Sequence, residues 1–304
     1  MTVAYLGPAG TFTESAATMI TGGDAELVAC VDVAEVLRRV EDDEVAQGVV
    51  PIENTLEGSV TATLDALAFD TDLLIEGELE IPITLVAAVK PGTSLEDVTV
   101  VASHPVPLGA SRRWLSANVP TAEHVPTSST ARAAEEAAAT DGMLAIVNPL
   151  AAERYELEVV AKGIADRASN TTRFIVVGKT LSKPTGWDKT SIVVFIDANK
   201  PGALLKLLEI FAERDLNLTK IESRPTKLEL GEYCFFLDVE GHLADERVGD
   251  ALAAVKRTHR DIKVLGSYRR GGARRTDEAE RIARDDDAYR DAAAWLADWR
   301  GRLD

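Results

Sequence analysis

Gly48-Val49-Val50-Pro51-Ile52-Glu53-Asn54-Thr55 runs from an apolar stretch straight into a polar cluster, which Glu57-Gly58-Ser59 continues. A short β-type run that ends in capping residues and leads into a helical pattern is one repeat of α/β construction. The same passage recurs from residue 1 to about 180. Its apolar runs are Val3–Leu6, Gly48–Ile52, Leu85–Val89, Val98–Ala102, Leu144–Val147 and Arg173–Val177. Helical patterns lie between them at Phe12–Ile20, Val33–Val40, Ser59–Phe69 and Ala131–Ala139. The order implies parallel βαβ units, and in open α/β sheets ligands bind where strands end and helices begin.

Further along, Leu181-Ser182-Lys183-Pro184-Thr185-Gly186-Trp187-Asp188 is polar and broken by Pro and Gly, so it reads as a linker. A second unit follows as strand Thr190–Asp197, helix Gly202–Arg214, strands Leu218–Arg224 and Glu232–Val239, helix Asp245–Thr258 and strand Ile262–Tyr268. That βαββαβ order is a ferredoxin-like sandwich. Leu204, Leu205, Leu208 and Phe211 are read as one helix face, and Tyr233, Phe235, Leu237 and Val239 alternate as in a half-buried strand. Beyond Arg269 a mixed-charge run carries Ile282, Tyr289, Ala292, Leu296, Trp299 and Leu303 at near-heptad spacing. An amphipathic helix on the body or against a sister subunit is expected there, with a flexible tail as the alternative. The expected division is 1–180, 189–268 and a C-terminal extension over 269–304.

The 304 residues exceed the ~150 expected of one domain. Their composition, 46% hydrophobic and 27% charged, is that of a globular chain. No basic leader with an apolar core opens the sequence, and no run of ~18 apolar residues occurs, so neither export nor membrane insertion is expected. Cys30 and Cys234 lack metal-ligand or CxxC spacing, which points to a reducing, cytoplasmic setting without a structural metal. The net charge of −17 argues against nucleic acid as a partner. It requires any anion site to be built locally, from an arginine or from helix N-terminal amides.

Five polar clusters sit at apparent strand-to-helix junctions: Gly7–Glu14, Pro51–Ser59, Ser103-His104-Pro105, Ser128–Ala131 and Ser169–Phe174. Each hydroxyl can be an ordinary helix cap or part of a ligand site, Ser59 and Ser129 included. Three of these strings, Tyr5-Leu6-Gly7-Pro8-Ala9-Gly10-Thr11-Phe12, Pro51-Ile52-Glu53-Asn54-Thr55 with Glu57-Gly58, and Asn170-Thr171-Thr172-Arg173-Phe174, resemble the motifs of the prephenate dehydratase family in order and spacing. Gly202-Ala203-Leu204 and Ile221-Glu222-Ser223-Arg224-Pro225 resemble the phenylalanine-binding motifs of that family's ACT domain. The resemblance covers residues 3 to 268 and leaves the last thirty-odd unexplained. Two positions depart from the pattern: Val106-Pro107 follow His104 where the family usually has Gln-Ala, which counts against a direct role for His104, and Thr55 stands where Ser is commoner.

The resemblance implies a two-lobed, periplasmic-binding-protein-like catalytic domain with a cleft, joined to the ACT unit. It implies a cofactor-independent lyase that converts prephenate to phenylpyruvate, CO2 and water in phenylalanine biosynthesis. With no helical segment before Val3, a monofunctional chain is expected. The family match gives Thr172 the role of hydrogen-bond donor to the departing hydroxyl, directly or through a relay with Glu53, and Arg173 that of a carboxylate ligand. A strand-start salt bridge is the other reading of Arg173, and helix capping that of Glu53. Thr11, Thr55 and Thr130 are candidate orienting hydroxyls, amides near Gly10 and Gly58 candidate carboxylate ligands, and Asn54, Ser59, Asn170 and Phe174 further substrate contacts. For the effector L-phenylalanine the resemblance implies Gly202, Ala203, Leu204, Asn217, Glu222, Ser223, Arg224 and Pro225, at a junction of subunits in a homodimer or homotetramer. Arogenate as substrate is a rival reading, and a non-catalytic amino-acid sensor is another. A DNA-binding sensor would need a basic helix pair, and the sequence offers none.

Overall fold

The computed structural model describes residues 1–167, 170–196, 201–227, 229, 231–272 and 276–302, with the side chains of 276–285 outside the description. Ser169, Asp197, Leu303 and the Ile282 side chain, named above, lie outside the described residues. The chain divides into two compact units, one formed by Met1–Ala66 with Leu79–Val176 and the other by Leu67–Glu78 with Val177–Asp304.

The first unit has two lobes, each with its own sheet. Lobe one holds β1 (Thr2–Leu6), α1 (Phe12–Thr21), β2 (Glu26–Cys30), α2 (Val33–Glu41), β3 (Gln47–Asn54), β4 (Gly58–Ser59) and α3 (Thr61–Asp65), which runs into a π-helical turn at Ala66–Asp70. β5 (Leu74–Pro82) then leads to lobe two: β6 (Val86–Val89), β7 (Val100–Ser103), α4 (Pro105–Ala110), α5 (Arg112–Asn118), β8 (Glu123–Pro126), α6 (Thr130–Ala139), β9 (Met143–Val147), α7 (Pro149–Arg154) and β10 (Glu158–Lys162). The chain returns to the first sheet as β11 (Thr171–Gly178). The strand orders are β2-β1-β3-β11-β5, with β4 paired to β3, and β10-β6-β9-β7-β8.

β1 with β2 and β3, and β7 with β8 and β9, pair in parallel, as the α/β reading requires. The sheets are nonetheless mixed, because β6 runs antiparallel to β9 and β10, and β3 to β4. Residues 59–69 are a correction: a helix was expected throughout, and the stretch instead closes a short hairpin before a helix starts at Thr61. Gly58, at φ +83°, turns the chain there. Helix starts follow local chemistry, since Thr11, Asp32, Ser129 and Asn148 each accept a backbone N–H from the first turn. Phe12 packs against the cores of both lobes.

The second unit is the expected sandwich: β12 (Asp188–Phe195), α8 (Ala203–Ala212), β13 (Leu218–Pro225), β14 (Tyr233–Glu240), α9 (Glu246–Thr258) and β15 (Asp261–Arg269), in the antiparallel order β13-β14-β12-β15. Its core joins Ile192, Val194, Phe235, Leu237 and Val239 to Leu207, Phe211, Val248 and Val255. Leu205 is a second correction, because it is 60% exposed. Leu207 takes the buried place, being three residues from Leu204 and four from Phe211.

Residues Leu67–Glu78 count with this unit for identifiable reasons. Phe69 stacks edge-on against Phe195, the Lys263 ammonium donates to the Thr71 carbonyl at 2.5 Å, and Lys189 pairs with Glu78 at 3.1 Å. α10 (Thr276–Arg300) ends the described chain and is joined to α9 where Asp286 accepts the Arg247 N–H at 3.0 Å. Among the described residues no helix is long and apolar enough to cross a membrane.

Candidate active site

A cavity of about 250 Å³ lies between the lobes of the first unit. Lobe one contributes Thr11, Phe12, Pro51, Asn54, Asn170, Thr172 and Phe174 to its wall, and lobe two His104, Val106, Pro107, Ser128, Ser129 and Thr130. Thr172 and Phe174 reach it together because side chains two apart on a strand share a face. Arg173, between them, projects to the other face, where its guanidinium stands 3.6 Å from Glu53.

The hydrogen bonds at the end of β3 decide how Thr172 is presented. The Asn54 side-chain oxygen accepts the N–H groups of Leu56 at 2.9 Å and Glu57 at 3.2 Å. Its amide nitrogen must then face the other way, and it donates to Thr172 Oγ1 at 2.8 Å and to Asn170 Oδ1 at 2.9 Å. The two backbone donors fix which end of Asn54 is oxygen, which settles the usual ambiguity of an amide side chain. Thr172 Oγ1 is therefore an acceptor from Asn54, and its own proton is left to be given elsewhere. At 9% exposure, with its residue on the cavity wall, this hydroxyl is placed to donate to a bound molecule.

Thr55 ties the same two strand ends together. Its N–H donates to the Thr171 carbonyl at 3.0 Å, its hydroxyl accepts the Thr171 N–H at 3.0 Å, and Asn170 Oδ1 lies 3.3 Å away.

Opposite, a clasp joins the lobes. The Glu14 carboxylate accepts the Gly10 N–H and pairs with Arg154 at 2.6 Å, while Asn148 donates to the Gly10 carbonyl at 2.9 Å and caps α7. Gly10, at φ +87°, approaches Ala131 and Ala151 so closely that a Cβ would lie 3.4 Å from that of Ala131. Burial, with the Glu14 carboxylate close by, pushes the Tyr5 phenol up to about 12.

Of the sequence candidates, Thr11, Asn54, Thr130, Asn170, Thr172 and Phe174 converge on the cavity wall. Gly10, Glu53, Thr55, Gly58, Ser59 and Arg173 stand outside it and shape the strand ends and loops behind it. Glu53 and Ser59, with Asn54 and Gly58, are register partners of the β3–β4 hairpin. Sequence reasoning passed over Asn148 and Arg154 and gave Glu14, at the end of the first polar cluster, no role of its own; their signal was a cap residue before Pro149 and an acid in the first turn of α1. It also set His104 aside, although that side chain lines the cavity, with Nδ1 accepting the Val106 N–H at 3.4 Å.

The wall carries no lysine or arginine among the described residues, and its only ionisable side chains are Glu57 and His104. Two helix N-termini reach it instead, α1 through Thr11–Thr13 and α6 through Ser128–Thr130. Arg167 lines an adjoining cavity that shares Glu57, Val106 and Ala110 with the first.

The effector candidates of the second unit do not form one cluster. Gly202 caps α8 at φ +79°, and Ala203 lines a cavity of about 270 Å³ with Lys206, Ile210 and His259. Asn217 is exposed, and its carbonyl accepts the Glu240 N–H. On edge strand β13 the motif splits. Ser223 pairs with Phe235 on the helix-covered face, whereas Glu222 and Arg224 pair with Phe236 and Cys234 on the other. Leu204 packs against the core.

A two-lobed α/β unit with a hydroxyl-lined cleft, followed by a ferredoxin-like sandwich, defines a small-molecule enzyme with an appended ACT-type unit. Residues 3–182 match the family described as prephenate dehydratase, and residues 190–257 match the ACT domain. A prephenate dehydratase of Amycolatopsis methanolica is 42% identical over 300 residues, covering 97% of this chain and 96% of its own. The structure of the prephenate dehydratase from Arthrobacter aurescens in complex with L-Phe is 40% identical, with a TM-score of 0.88, and covers 99% of this chain and 100% of its own. A structure described as GqqA, a quorum-quenching acylase, is 27% identical with a TM-score of 0.81, covering 88% and 98%. The chain belongs to the prephenate dehydratase family, whose members are dehydratases of the lyase type.

Proposed function

We propose that this chain converts prephenate to phenylpyruvate as a step in phenylalanine formation, and that L-phenylalanine inhibits it through the second unit. The observation that carries the reading is the Asn54–Thr172 hydrogen bond with the Asn54 oxygen pinned by two backbone N–H groups. It turns an ordinary threonine into a donor aimed away from its own scaffold.

The reaction breaks the bond between the ring and its carboxylate. That electron pair moves through the ring, and the bond to the ring hydroxyl breaks at the far end. With one proton taken up, the products are CO2, water and an aromatic phenylpyruvate. Thr172 assists the leaving oxygen by hydrogen bonding, and a donor so placed contributes ~100-fold or more. The helix N-termini of α1 and α6 offer the anionic groups of the substrate partial positive charge without a fixed cation. That suits a carboxylate that must shed its charge, because a guanidinium in contact with it would hold the ground state back. Arg173, in this reading, acts behind the wall through Glu53, keeping β11 and β3 in register. Thr11 and Thr130 orient the substrate from opposite lobes, and Phe174 packs against its ring.

For regulation, the related structure with bound L-Phe and the ACT match support an amino-acid site in the second unit. An effector acts only through its differential affinity for two states, so L-phenylalanine binds the less active one more tightly. Edge strand β13 and the start of α8 are the parts we assign to it, in an assembly of at least two copies. The buried cysteines, neither of them in a disulfide, fit a reducing compartment, and we place the enzyme in the cytoplasm.

The test is substrate competition with the purified full chain, following phenylpyruvate from prephenate and phenylalanine from arogenate. The expected kcat/KM is at least tenfold higher for prephenate and falls on adding L-phenylalanine. Preference for arogenate, or no turnover of either, contradicts the reading.

A further inference from the structure

The cleft of the first unit continues into a second cavity of about 380 Å³, walled by the β3–β4 turn, by α4, and by Asp166 and Arg167. Glu57, Val106 and Ala110 belong to both cavities, whereas Thr172 lines the first and Arg167 the second.

The chain is tied down on either side of Arg167. Toward lobe two, the Asp166 N–H donates to the Ala110 carbonyl at 2.6 Å, and the Asp166 carboxylate accepts the Arg113 N–H at 3.1 Å in the first turn of α5. Toward lobe one, the Asn170 carbonyl accepts the Ile83 N–H at 2.8 Å, and its side-chain oxygen accepts from Asn54 at 2.9 Å. Arg167 therefore stands where the chain crosses back between the lobes, at the edge of the cleft. It is exposed, and among the described residues no acid forms an ion pair with it. Asp166 is occupied at the start of α5, and Glu57 does not reach it. In a chain of net charge −17, a guanidinium without a protein acid is a ready place for a carboxylate.

Prephenate carries two carboxylates with opposite fates. One leaves the ring as CO2, and the other ends the three-carbon side chain and is still charged in phenylpyruvate. Both groups stem from the ring carbon opposite the hydroxyl. A substrate whose hydroxyl meets Thr172 thus sends its side chain away from Thr172, across the cleft. We propose that the retained carboxylate enters the second cavity and pairs with Arg167, an assignment that rests on prephenate being the substrate.

The placement of charge selects this carboxylate over the other. The first cavity offers the leaving group only dipoles, and the full cation belongs to the second cavity alone. A guanidinium on the leaving carboxylate would stabilise the ground state more than the transition state. On the retained one it binds both equally, so it lowers KM and leaves kcat alone. Glu57, exposed at the boundary, repels an anion that does not reach the guanidinium.

Steady-state kinetics of the full chain test this by separating KM from kcat. Arg167→Met is expected to raise KM for prephenate about tenfold or more, with kcat within about threefold of the parent. Two competitive inhibitors give a reading that a packing role would not move. Phenylpyruvate keeps the carboxylate, and phenylacetone has a methyl group in its place. The inhibition constant of phenylpyruvate should rise with KM in Arg167→Met, and that of phenylacetone should stay as in the parent. An unchanged KM in Arg167→Met overturns the proposal, as does a fall in kcat with KM kept, or an equal loss of affinity for both inhibitors. A parent chain that does not turn over prephenate contradicts the functional reading itself, and the assignment of Arg167 falls with it.

Discussion

The cleft wall of the first unit and the framework of the second handle charge in opposite ways, although the first unit too pairs charges away from that wall, Glu14 with Arg154 and Arg173 with Glu53. The cleft of the first has hydroxyls, the Asn54 and Asn170 amides, one imidazole, the Glu57 carboxylate and two helix N-termini on its wall, and no fixed cation among the described residues. The second buries full charges: Lys189, with 8% of its side chain exposed, stands 3.1 Å from Glu78 and 3.7 Å from Asp238, and Arg270 pairs with Glu240 at 2.9 Å while covering Trp187. Around Asp238 the network continues through Ser191 to the fully buried Tyr268 hydroxyl. A scaffold can use buried ion pairs, because its charges stay put. A site whose substrate loses a carboxylate as neutral CO2 works better with dipoles, which help the anion bind without clamping the charge that must disappear.

The contrast can be broken at its strongest point first. Thr172→Val keeps the shape and removes the donor, and Thr172→Ala removes both, so each should cost at least ~100-fold in kcat for phenylpyruvate formation. Thr172→Ser keeps the hydroxyl and should retain part of the rate. Loss in the serine variant equal to that in valine would mean that packing, not donation, matters there.

In the second unit the expected effect is on stability. Lys189→Met leaves Glu78 and Asp238 buried without their cation, and removing one partner of a buried pair costs about 3 kcal/mol. Thermal unfolding should show a drop of several degrees. The further exchange Glu78→Gln should recover much of it, whereas no change in Tm for Lys189→Met would show that the pair is already solvated.

Smaller again is the regulatory effect. Gly202→Ala strains a residue at φ +79°, and Arg224→Ala removes a half-buried cation from the edge strand. Either should raise the L-phenylalanine concentration for half-inhibition severalfold with turnover kept. Normal sensitivity with lost turnover would move the effector site elsewhere.

Much of this was legible from residues alone, and the limits have physical causes. The second unit could be read almost element by element, because Tyr233–Val239 alternates and Gly202 and Asp245 mark where its helices start. Leu205 misled because Leu204, Leu205, Leu207 and Leu208 of α8 do not by themselves say which of two neighbouring faces is covered. In the first unit the apolar runs located β1, β3, β6, β7, β9 and β11. β5 has Glu at three of its nine positions, which breaks its apolar run, and β2, β8 and β10, of four or five residues each, were not singled out.

At the site, Thr172, Asn54, Asn170, Thr11, Thr130 and Phe174 are all legible in the sequence motifs. Their division from Arg173, Glu53 and Thr55 was not, since it depends on which face of β11 and β3 meets the cleft. The clasp of Glu14, Asn148 and Arg154 joins residues up to 140 positions apart, a distance that no local pattern reports.

The most direct test of the account is Asn54→Asp. A carboxylate can still accept the Leu56 and Glu57 N–H groups, but it cannot donate to Thr172, so the threonine proton should turn toward it and away from the cavity. The account predicts a fall of ~100-fold in kcat for prephenate with KM changed no more than a few-fold, matching the loss of a donor needed only as the hydroxyl departs. A variant that turns over prephenate at the parent rate would contradict it.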